Sequence, residues 1–181
     1  MTAFPPARGF RSSERDHRIV VIDGIDGPNM TNLGARNKRV YGAIASLEDL
    51  QSYCKNFGSA VGVTVTTFAS NYEGAILEFI HESAHSADAY IINPAGLTEG
   101  GVATKRALTE TGKPYVEVHF ANIVAPPTAP RGLPIGPWQS TFSASATGVT
   151  MGMREYSYCG AILSLAMALD DRNFLGAELS G

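Results

Sequence analysis

The sequence predicts an α/β fold with a parallel β-sheet, and three observations lead to that prediction. Short β-branched, apolar runs alternate with longer segments whose apolar residues recur at helical spacing. The run RIVVID at 18–23 is almost continuously apolar, as expected of a strand that is buried on both faces. Parallel strands need crossover connections, and the helical segments between the runs supply them on both faces of the sheet.

The predicted strands and helices alternate along the chain. We expect RIVVID to be the central strand, because it is apolar almost throughout. A helix over residues 46–62 should follow, since Ser46 can cap its N-terminus and Glu48 and Asp49 lie in its first turn. The later elements are, in order, the strand VTVTTFA, the helix EGAILEFIHESAHSA, the strand AYIIN, the helix GVATKRALTETG, the strand PYVEVHF, a short fifth strand near TGVTMG and the helix EYSYCGAILSLAMALDD. Between the last two strands, the Pro/Gly-rich segment 123–137 should break regular structure.

Length and composition indicate a single domain. A chain of 181 residues with 44% apolar content can bury one good core, which we assign to residues 17–172. Residues 1–16 are expected to be a flexible N-terminal segment, and residues 173–181 a C-terminal tail. No run approaches the ~18 apolar residues of a membrane span, and the first residues lack the apolar core of a signal peptide. We therefore expect a cytoplasmic protein with no membrane partner.

Charge and cysteine content argue against two further classes of protein. The net charge is −3, and the 14 basic residues are scattered along the chain, so no nucleic-acid partner is expected. Cys54 and Cys159 fall in predicted helices without metal-type spacing and should be reduced, packed thiols. With only four histidines and no CxxC pattern, no metal site is expected.

Polar residues follow the predicted strands at their carboxyl ends. Asn29 follows the first strand, the stretch SNYEG at 70–74 follows the second, and Asn93 ends the third. Glu117 and His119 lie at the end of the fourth strand. Because α/β proteins bind ligands outside the carboxyl ends of parallel strands, we expect these residues to converge on one rim.

Glu117 and His119 are two residues apart on a strand, so their side chains should point to the same face. A carboxylate in that position can orient an imidazole and tune its proton affinity. The alternative interpretation is an ion pair at the edge of the sheet with no catalytic role.

Arg36 and Tyr41 lie five residues apart in the stretch that follows the first strand. A guanidinium beside a phenol stabilises the phenolate and pulls its pKa from ~10 towards neutrality, which would make Tyr41 a base. The alternative is a solvated loop whose tyrosine only packs. Because Gly34 and Gly42 flank this stretch, we expect residues 34–41 to be mobile without ligand and to close over one.

Taken as a set, several motifs resemble those of the type II 3-dehydroquinate dehydratases, or type II dehydroquinases. The motifs are, in order, GPNMTNLGAR followed by VYG, SNYEG, IINPAG and VEVHFAN, and the resemblance runs from about residue 18 to about residue 170. It implies a flavodoxin-like, doubly wound sandwich with a five-stranded parallel sheet and an activity that uses no cofactor. It also implies self-association as a trimer-based oligomer, with the dodecamer as the typical assembly.

The resemblance implies proton-transfer roles for five residues. Tyr41 would be the base that removes an α-proton from a ketone, and Arg36 would keep it ionised. Asn29 would help to hold the enolate through a bound water. The alternative is that Asn29 only caps a turn formed by the preceding Gly and Pro. His119, steered by Glu117, would be the acid that protonates the departing hydroxyl group, since histidine is the side chain poised near neutral pH.

The resemblance also implies a substrate-binding set. Asn93 would bind a substrate hydroxyl group. The backbone amides around Phe120, Ala121 and Asn122 would receive the carboxylate of the substrate.

Three positions around the family's substrate pocket differ in this chain. Glu99 replaces a histidine after INPAGLT, and seven residues on Arg106 replaces an aspartate that reaches a neighbouring subunit. After HFAN, a proline-rich stretch replaces an arginine-rich one, and Arg131 is the candidate replacement for the missing arginine. A buried Glu99 would have to pair with Arg106 or accept a substrate of different polarity. Alternatively, Glu99 faces solvent at a helix N-terminus, where a carboxylate is favourable.

Two functional classes remain open from the sequence. The first is a hydro-lyase that forms an enolate and eliminates water from 3-dehydroquinate or a related cyclic hydroxy-ketone acid, in the shikimate pathway or in quinate catabolism. The second is a relative that binds a metabolite without catalysis or hydrolyses a carbonyl compound with Glu99. We favour the lyase, because packing alone hardly explains the presence together of Asn29, Arg36, Tyr41, Glu117 and His119.

Overall fold

The structure is a computed structural model that describes residues 8–24, 33–171 and 173 of the chain. One parallel sheet contains the strands β1 (Arg18–Asp23), β2 (Thr64–Ala69), β3 (Ala89–Asn93), β4 (Tyr115–His119) and β5 (Gly148–Met151). Their order across the sheet is β2-β1-β3-β4-β5. The predicted five-stranded parallel sheet is confirmed.

The predicted central position of β1 is wrong. β1 lies between β2 and β3, and β3 is the middle strand of the five. Both β1 and β3 are covered on their two faces, so their apolar runs look alike in sequence. An apolar run reports burial on both faces and does not distinguish one interior strand from the next.

Helices pack on both faces of the sheet. They are α1 (Lys38–Tyr41), α2 (Leu47–Val61), α3 (Glu73–Ser83), α4 (Val102–Glu110) and α5 (Tyr156–Asp170), with single 3₁₀ turns at Arg8–Phe10, Leu33–Ala35 and Ala95–Leu97. Ser46 caps α2 as predicted, since its hydroxyl oxygen accepts a hydrogen bond from the backbone N–H of Asp49 at 3.0 Å. Gly62 ends α2 at a φ of 80°, in the left-handed conformation that glycine adopts without strain.

The core has two halves, one on each face of the sheet. Ile19 and Val21 of β1 face the half that α2 and α5 cover, whereas Val20 and Ile22 face the half under α3 and α4. This alternation within one apolar strand is what a sheet covered on both faces requires. The chain is therefore doubly wound, as expected of a flavodoxin-like fold.

The connection from β4 to β5 differs from the others, because residues 120–147 contain no helix. It is held by backbone hydrogen bonds, among them Asn122 N to Arg131 O at 2.9 Å and Trp138 N to Ile123 O at 2.7 Å. We call residues 120–138 of this connection the wall segment, since it covers one side of the cavity described below.

Residues before β1 are tied to the end of α5. Arg11 Nη2 lies 2.7 Å from Asp170 Oδ1, and His17 Nε2 lies 2.8 Å from the same oxygen. Arg11 belongs to the segment predicted to be flexible, and the limits 17–172 of the domain stay a prediction.

Within the described part of the chain, no helix combines the length and apolar character needed to cross a membrane.

Candidate active site

A cavity of about 380 Å³ opens at the carboxyl ends of β3 and β4. Its polar lining comes from the predicted rim and from the turn after β3: Arg36, Tyr41, Asn93, Thr98 and His119. Its described charged groups are the Arg36 guanidinium and, when protonated, the His119 imidazole. The sheet, the segment before α2 and the β4–β5 connection therefore meet at one site.

Arg36 and Tyr41 both line this cavity and are in direct contact with each other. The one-turn helix α1 places Tyr41 so that Arg36 Nη2 donates a hydrogen bond to its phenolic oxygen. The guanidinium carbon also lies 3.5 Å from the centroid of the Tyr41 ring. The ring packs against Phe120, at 6.0 Å between centroids. The predicted pairing of the cation with the phenol is confirmed, and Tyr41 does not lie in a solvated loop.

The predicted direction of the Tyr41 pKa is wrong for the described structure. Burial raises the pKa of Tyr41 above its ordinary value of 10.0, and this effect outweighs the lowering by the charge and hydrogen bond of Arg36. The sequence shows the neighbouring cation but not the burial that opposes it.

Glu117 and His119 form a buried pair at the end of β4. Glu117 Oε1 lies 2.6 Å from His119 Nε2, and the two residues are 0% and 5% exposed. The hydroxyl group of Ser143 donates a hydrogen bond of 2.5 Å to the other carboxylate oxygen. Burial raises the pKa of Glu117, but the hydrogen bonds from His119, Ser140 and Ser143 outweigh it and hold the pKa below its ordinary value. An exposed edge ion pair is thus excluded, and an ionised Glu117 faces the imidazole.

Asn93 lines the cavity at the end of β3 and is joined to two buried residues behind it. Its Nδ2 donates a hydrogen bond of 2.9 Å to the hydroxyl oxygen of Tyr158 on α5. The Tyr158 hydroxyl donates in turn to Asp23 Oδ1, at the end of β1, over 2.5 Å. Sequence reasoning found Asn93 but missed Asp23 and Tyr158. An acidic residue at the end of an apolar strand was the available signal for Asp23.

The wall segment gives the cavity an apolar side. The described apolar residues that it contributes are Phe120, Ala121, Ile123, Leu133, Ile135 and Trp138. The polar edge of Trp138 is engaged, because its indole N–H donates to the carbonyl oxygen of Ile135 at 3.0 Å. Sequence reasoning missed this apolar surface, since an irregular segment has no periodicity that shows which residues face inward.

Of the three residues whose backbone amides were assigned to the substrate carboxylate, two line the cavity and one does not. Phe120 and Ala121 line the cavity, whereas Asn122 does not. The Asn122 backbone N–H instead donates to the Arg131 carbonyl oxygen at 2.9 Å.

Arg131 braces the backbone and does not line the cavity. Its Nε donates to the Gly152 carbonyl oxygen at 2.8 Å, and its Nη2 donates to the Phe120 carbonyl oxygen at 2.9 Å. The guanidinium therefore ties the beginning of the wall segment to the chain just after β5.

Glu99 and Arg106 are both exposed, and neither lines the cavity. Among the described residues, they form no ion pair with each other. The exposed alternative for Glu99, just before α4, agrees with this placement. A role for either residue at the site of a neighbouring subunit stays a prediction.

Two further predicted rim elements do not contribute to the described lining. Asn29 lies outside the described residues. Residues 70–74 do not line the cavity, and Glu73 accepts hydrogen bonds from the Thr104 N–H at 3.3 Å and the Thr104 hydroxyl at 2.9 Å. Glu73 thus caps the first turn of α4.

Within the described ranges, no group of three or more His, Cys, Asp or Glu residues could hold a metal ion.

Comparisons with known proteins agree with the fold and the motifs. A family model described as Dehydroquinase class II matches residues 17–166. Catabolic 3-dehydroquinase 1 of Neosartorya fischeri is 35% identical over 153 residues, which cover 83% of this chain and 95% of the relative. A catabolic 3-dehydroquinase of Verticillium alfalfae is 37% identical over 150 residues, which cover 82% and 95%. The crystal structure of the type II dehydroquinase from Propionibacterium acnes matches with a TM-score of 0.71 at 28% identity, over 85% of this chain and 99% of that one.

The doubly wound sheet, with a cavity lined by Tyr41 and His119 at its carboxyl edge, defines an α/β protein of flavodoxin-like fold. Within that class, the chain belongs to the class II dehydroquinase family. The family resemblance and the fold predicted from the sequence are confirmed.

Proposed function

We propose that this protein is a hydro-lyase of the type II 3-dehydroquinate dehydratase kind, acting on 3-dehydroquinate or a related cyclic hydroxy-ketone acid. The observation that carries the proposal is the presence of two proton-transfer groups on one cavity. Tyr41, in contact with Arg36, lines it from the segment before α2, and His119, paired with the buried Glu117, lines it from β4. Elimination of water next to a ketone needs one group to take a proton and another to give one.

In the first step, Tyr41 as a phenolate removes a proton from the carbon next to the ketone. The C–H bond breaks, and its electron pair passes into the enolate. Arg36 stabilises the phenolate through its charge and hydrogen bond. Because burial raises the pKa of Tyr41, the phenolate is a strong but scarce base at neutral pH, and the reaction should accelerate as the pH rises. Asn29 is assigned to the enolate by the motif alone.

In the second step, His119 gives a proton to the departing hydroxyl group. The C–O bond breaks, the enolate electrons form the new C=C bond, and water leaves. Since Nε2 contacts the Glu117 carboxylate, Nδ1 is the ring nitrogen assigned to the substrate. The contact with the Glu117 carboxylate holds the ring in this orientation.

Substrate binding is assigned to groups around these two. The backbone amides near Phe120 and Ala121 would receive the carboxylate, and Asn93 would bind a hydroxyl group. The cavity position of all three residues supports this assignment. Arg131 would contribute by holding the Phe120 carbonyl oxygen and thus the amides that follow it.

The assembly and cellular setting are also part of the proposal. We assign a trimer-based oligomer, with a dodecamer as its full form, and a cytoplasmic location. Glu99 and Arg106 would then lie at or near a subunit boundary, which their exposure allows. Light scattering of the purified protein tests this assignment, and a mass near 19.2 kDa at micromolar protein would contradict it.

A catabolic role is favoured because the relatives from Neosartorya fischeri and Verticillium alfalfae are named catabolic 3-dehydroquinases.

A second candidate substrate class is a cyclic hydroxy-ketone acid with fewer hydroxyl groups than 3-dehydroquinate. The apolar side of the cavity favours it, because a hydroxyl group placed against Leu133, Ile135 and Trp138 would lose its hydrogen bonds to water. Loss of compensating hydrogen bonds costs roughly 1–3 kcal/mol per group. The two substrate classes share one mechanism and differ in the groups that face the wall segment.

The decisive experiment is to incubate the purified protein with 3-dehydroquinate and record the ultraviolet absorbance of the conjugated enone product. We expect absorbance to rise with the wild type and not with Tyr41→Phe. A folded wild-type sample that produces no enone, but takes up deuterium into 3-dehydroquinate from heavy water, would favour the second substrate class. A folded sample that does neither would contradict the proposed lyase activity on this substrate.

A further inference from the structure

Behind the cavity, three buried side chains from three different elements form a continuous hydrogen-bonded chain. Asn93 donates to Tyr158 over 2.9 Å, and Tyr158 donates to Asp23 over 2.5 Å. The three residues are 4%, 0% and 1% exposed, and of them only Asn93 lines the cavity. Asp23 and Tyr158 therefore have no direct access to a ligand in the cavity.

The Asp23 carboxylate determines which group donates and which accepts in both of these hydrogen bonds. An ionised carboxylate only accepts hydrogen bonds, so the single hydroxyl hydrogen of Tyr158 must point to Asp23. The Tyr158 oxygen is then left as an acceptor, and it receives the Nδ2 hydrogen of Asn93. The two ends of the Asn93 amide are thereby distinguished, because the oxygen end would be repelled from an acceptor. A neutral amide at position 23 could instead donate to Tyr158 and allow the opposite order.

Burying the Asp23 carboxylate lowers the stability of the fold. Burial raises the pKa of Asp23 to about 6, although the hydrogen bond from Tyr158 and, to a smaller extent, the Asn93 amide oppose the increase. Among the described residues, nothing donates a hydrogen bond to the second carboxylate oxygen, Oδ2, which is buried. Replacing a buried charge by a neutral group of similar shape is commonly neutral or stabilising. Stability alone therefore does not explain a carboxylate at this position.

We propose that Asp23 and Tyr158 are positioning residues: Asp23 orients the Tyr158 hydroxyl, and Tyr158 fixes which end of the Asn93 amide is offered to the substrate. The kinetic part of this inference rests on the proposed function, in which Asn93 binds a substrate hydroxyl group. The role of the pair is to prevent the amide from rotating by half a turn, which would exchange a donor for an acceptor at the substrate.

Steady-state kinetics with 3-dehydroquinate test the proposal. We expect Asp23→Asn and Tyr158→Phe each to lower kcat/KM about tenfold, as for one misplaced hydrogen bond, in a protein that remains folded. In an Asn93→Ala background, either substitution should change kcat/KM less than twofold, because its target is already missing. Tyr90→Phe is the matched control. Tyr90 is also fully buried on β3, and its hydroxyl contacts Ser83 and the Ile80 carbonyl oxygen on the other face of the sheet. It should leave kcat/KM unchanged.

A second measurement does not depend on turnover. In protein labelled with ¹⁵N-asparagine, the side-chain amide resonances of Asn93, identified by their loss in Asn93→Ala, should shift in Tyr158→Phe and in Asp23→Asn but not in Tyr90→Phe. Equal kinetic losses with and without Asn93 would show a merely structural role and overturn the proposal. Unchanged Asn93 resonances would also overturn it. If the wild type gives no enone, the proposed function fails on this substrate, and the resonances alone decide the positioning role.

Discussion

Glu117 Oε1 lies 2.6 Å from His119 Nε2, and the two residues sit on the same face of β4 with almost no exposure to solvent. In such a low-dielectric setting, a hydrogen bond between a carboxylate and an imidazole is stronger than it would be in water. Through this bond, a group that does not line the cavity orients one that does.

Glu117→Gln should lower kcat about tenfold to a hundredfold, the loss expected for one charge-assisted hydrogen bond. The amide keeps the shape of the side chain but removes the charge that faces the imidazole. Steady-state kinetics with 3-dehydroquinate measure this loss. Ser143→Ala is the control, since it removes a donor to Glu117 and keeps the carboxylate. A kcat of Glu117→Gln that matches the wild type would contradict the assigned role.

Tyr41→Phe and His119→Ala should stop turnover at different steps. Without the phenolic oxygen, no enolate forms, so deuterium from heavy water should not enter the substrate. Without the imidazole, the enolate can form but cannot expel water, so exchange should continue while product formation falls at least ~10²-fold. Nuclear magnetic resonance of 3-dehydroquinate in heavy water measures both. If Tyr41→Phe keeps more than about one hundredth of the wild-type rate, Tyr41 is not the base.

The pH dependence of kcat/KM should reflect the buried phenol. Because the pKa of Tyr41 lies above its ordinary value of 10.0, kcat/KM should still be rising at about pH 9. Arg36→Met removes the charge and hydrogen bond that lower this pKa, so the rise should move to higher pH. Lys113→Met is a control for the loss of one positive charge, since Lys113 precedes β4 at the opposite edge of the sheet. A plateau of the wild type below pH 8 would argue against an ionising Tyr41.

Asp23 should make the fold more stable in mild acid than at neutral pH. Its pKa is raised from 3.8 to about 6 in the folded protein, so between these values the folded state binds a proton that the unfolded state does not. The free energy of unfolding contributed by Asp23 therefore increases as the pH falls from 7.5 to 4, by on the order of 2 kcal/mol.

Urea unfolding of the wild type and of Asp23→Asn at both pH values measures this difference, because the contributions of all other titrating groups largely cancel between the two proteins. The wild type should gain stability relative to Asp23→Asn in acid. A difference between the two proteins that does not change with pH would show that Asp23 keeps an ordinary pKa when folded.

Much of the fold was predictable because its elements have strong local signals. The apolar run of β1, the Ser46 cap and the β-branched run of β2 all identify elements that the structure contains. The helix α1 was not predicted, since four residues are too few to show a helical period. The order of interior strands was not predictable from apolar runs alone, which is why the central place was given to β1 and not to β3.

Parts of the site were predictable for a different reason. Asn93, Glu117 and His119 lie at strand ends, so topology alone brings them to one edge. The partner of Asp23 was not predictable, because Tyr158 lies 135 residues away and on a helix with an unremarkable apolar pattern. The balance of burial against Arg36 at Tyr41 also depends on tertiary packing, which no local pattern reports.

The two hydrogen bonds of Arg131, to the Phe120 and Gly152 carbonyl oxygens, have a consequence for how the cavity can be altered. Glu117 and His119 are built into β4, whereas the apolar side of the cavity belongs to the irregular wall segment. Arg131, itself part of that segment, ties its first residue, Phe120, to Gly152 after β5. Such a segment can change its sequence, and with it the shape and polarity of the cavity, without moving β4. Substitution can therefore alter the apolar lining of the cavity independently of the Glu117–His119 pair.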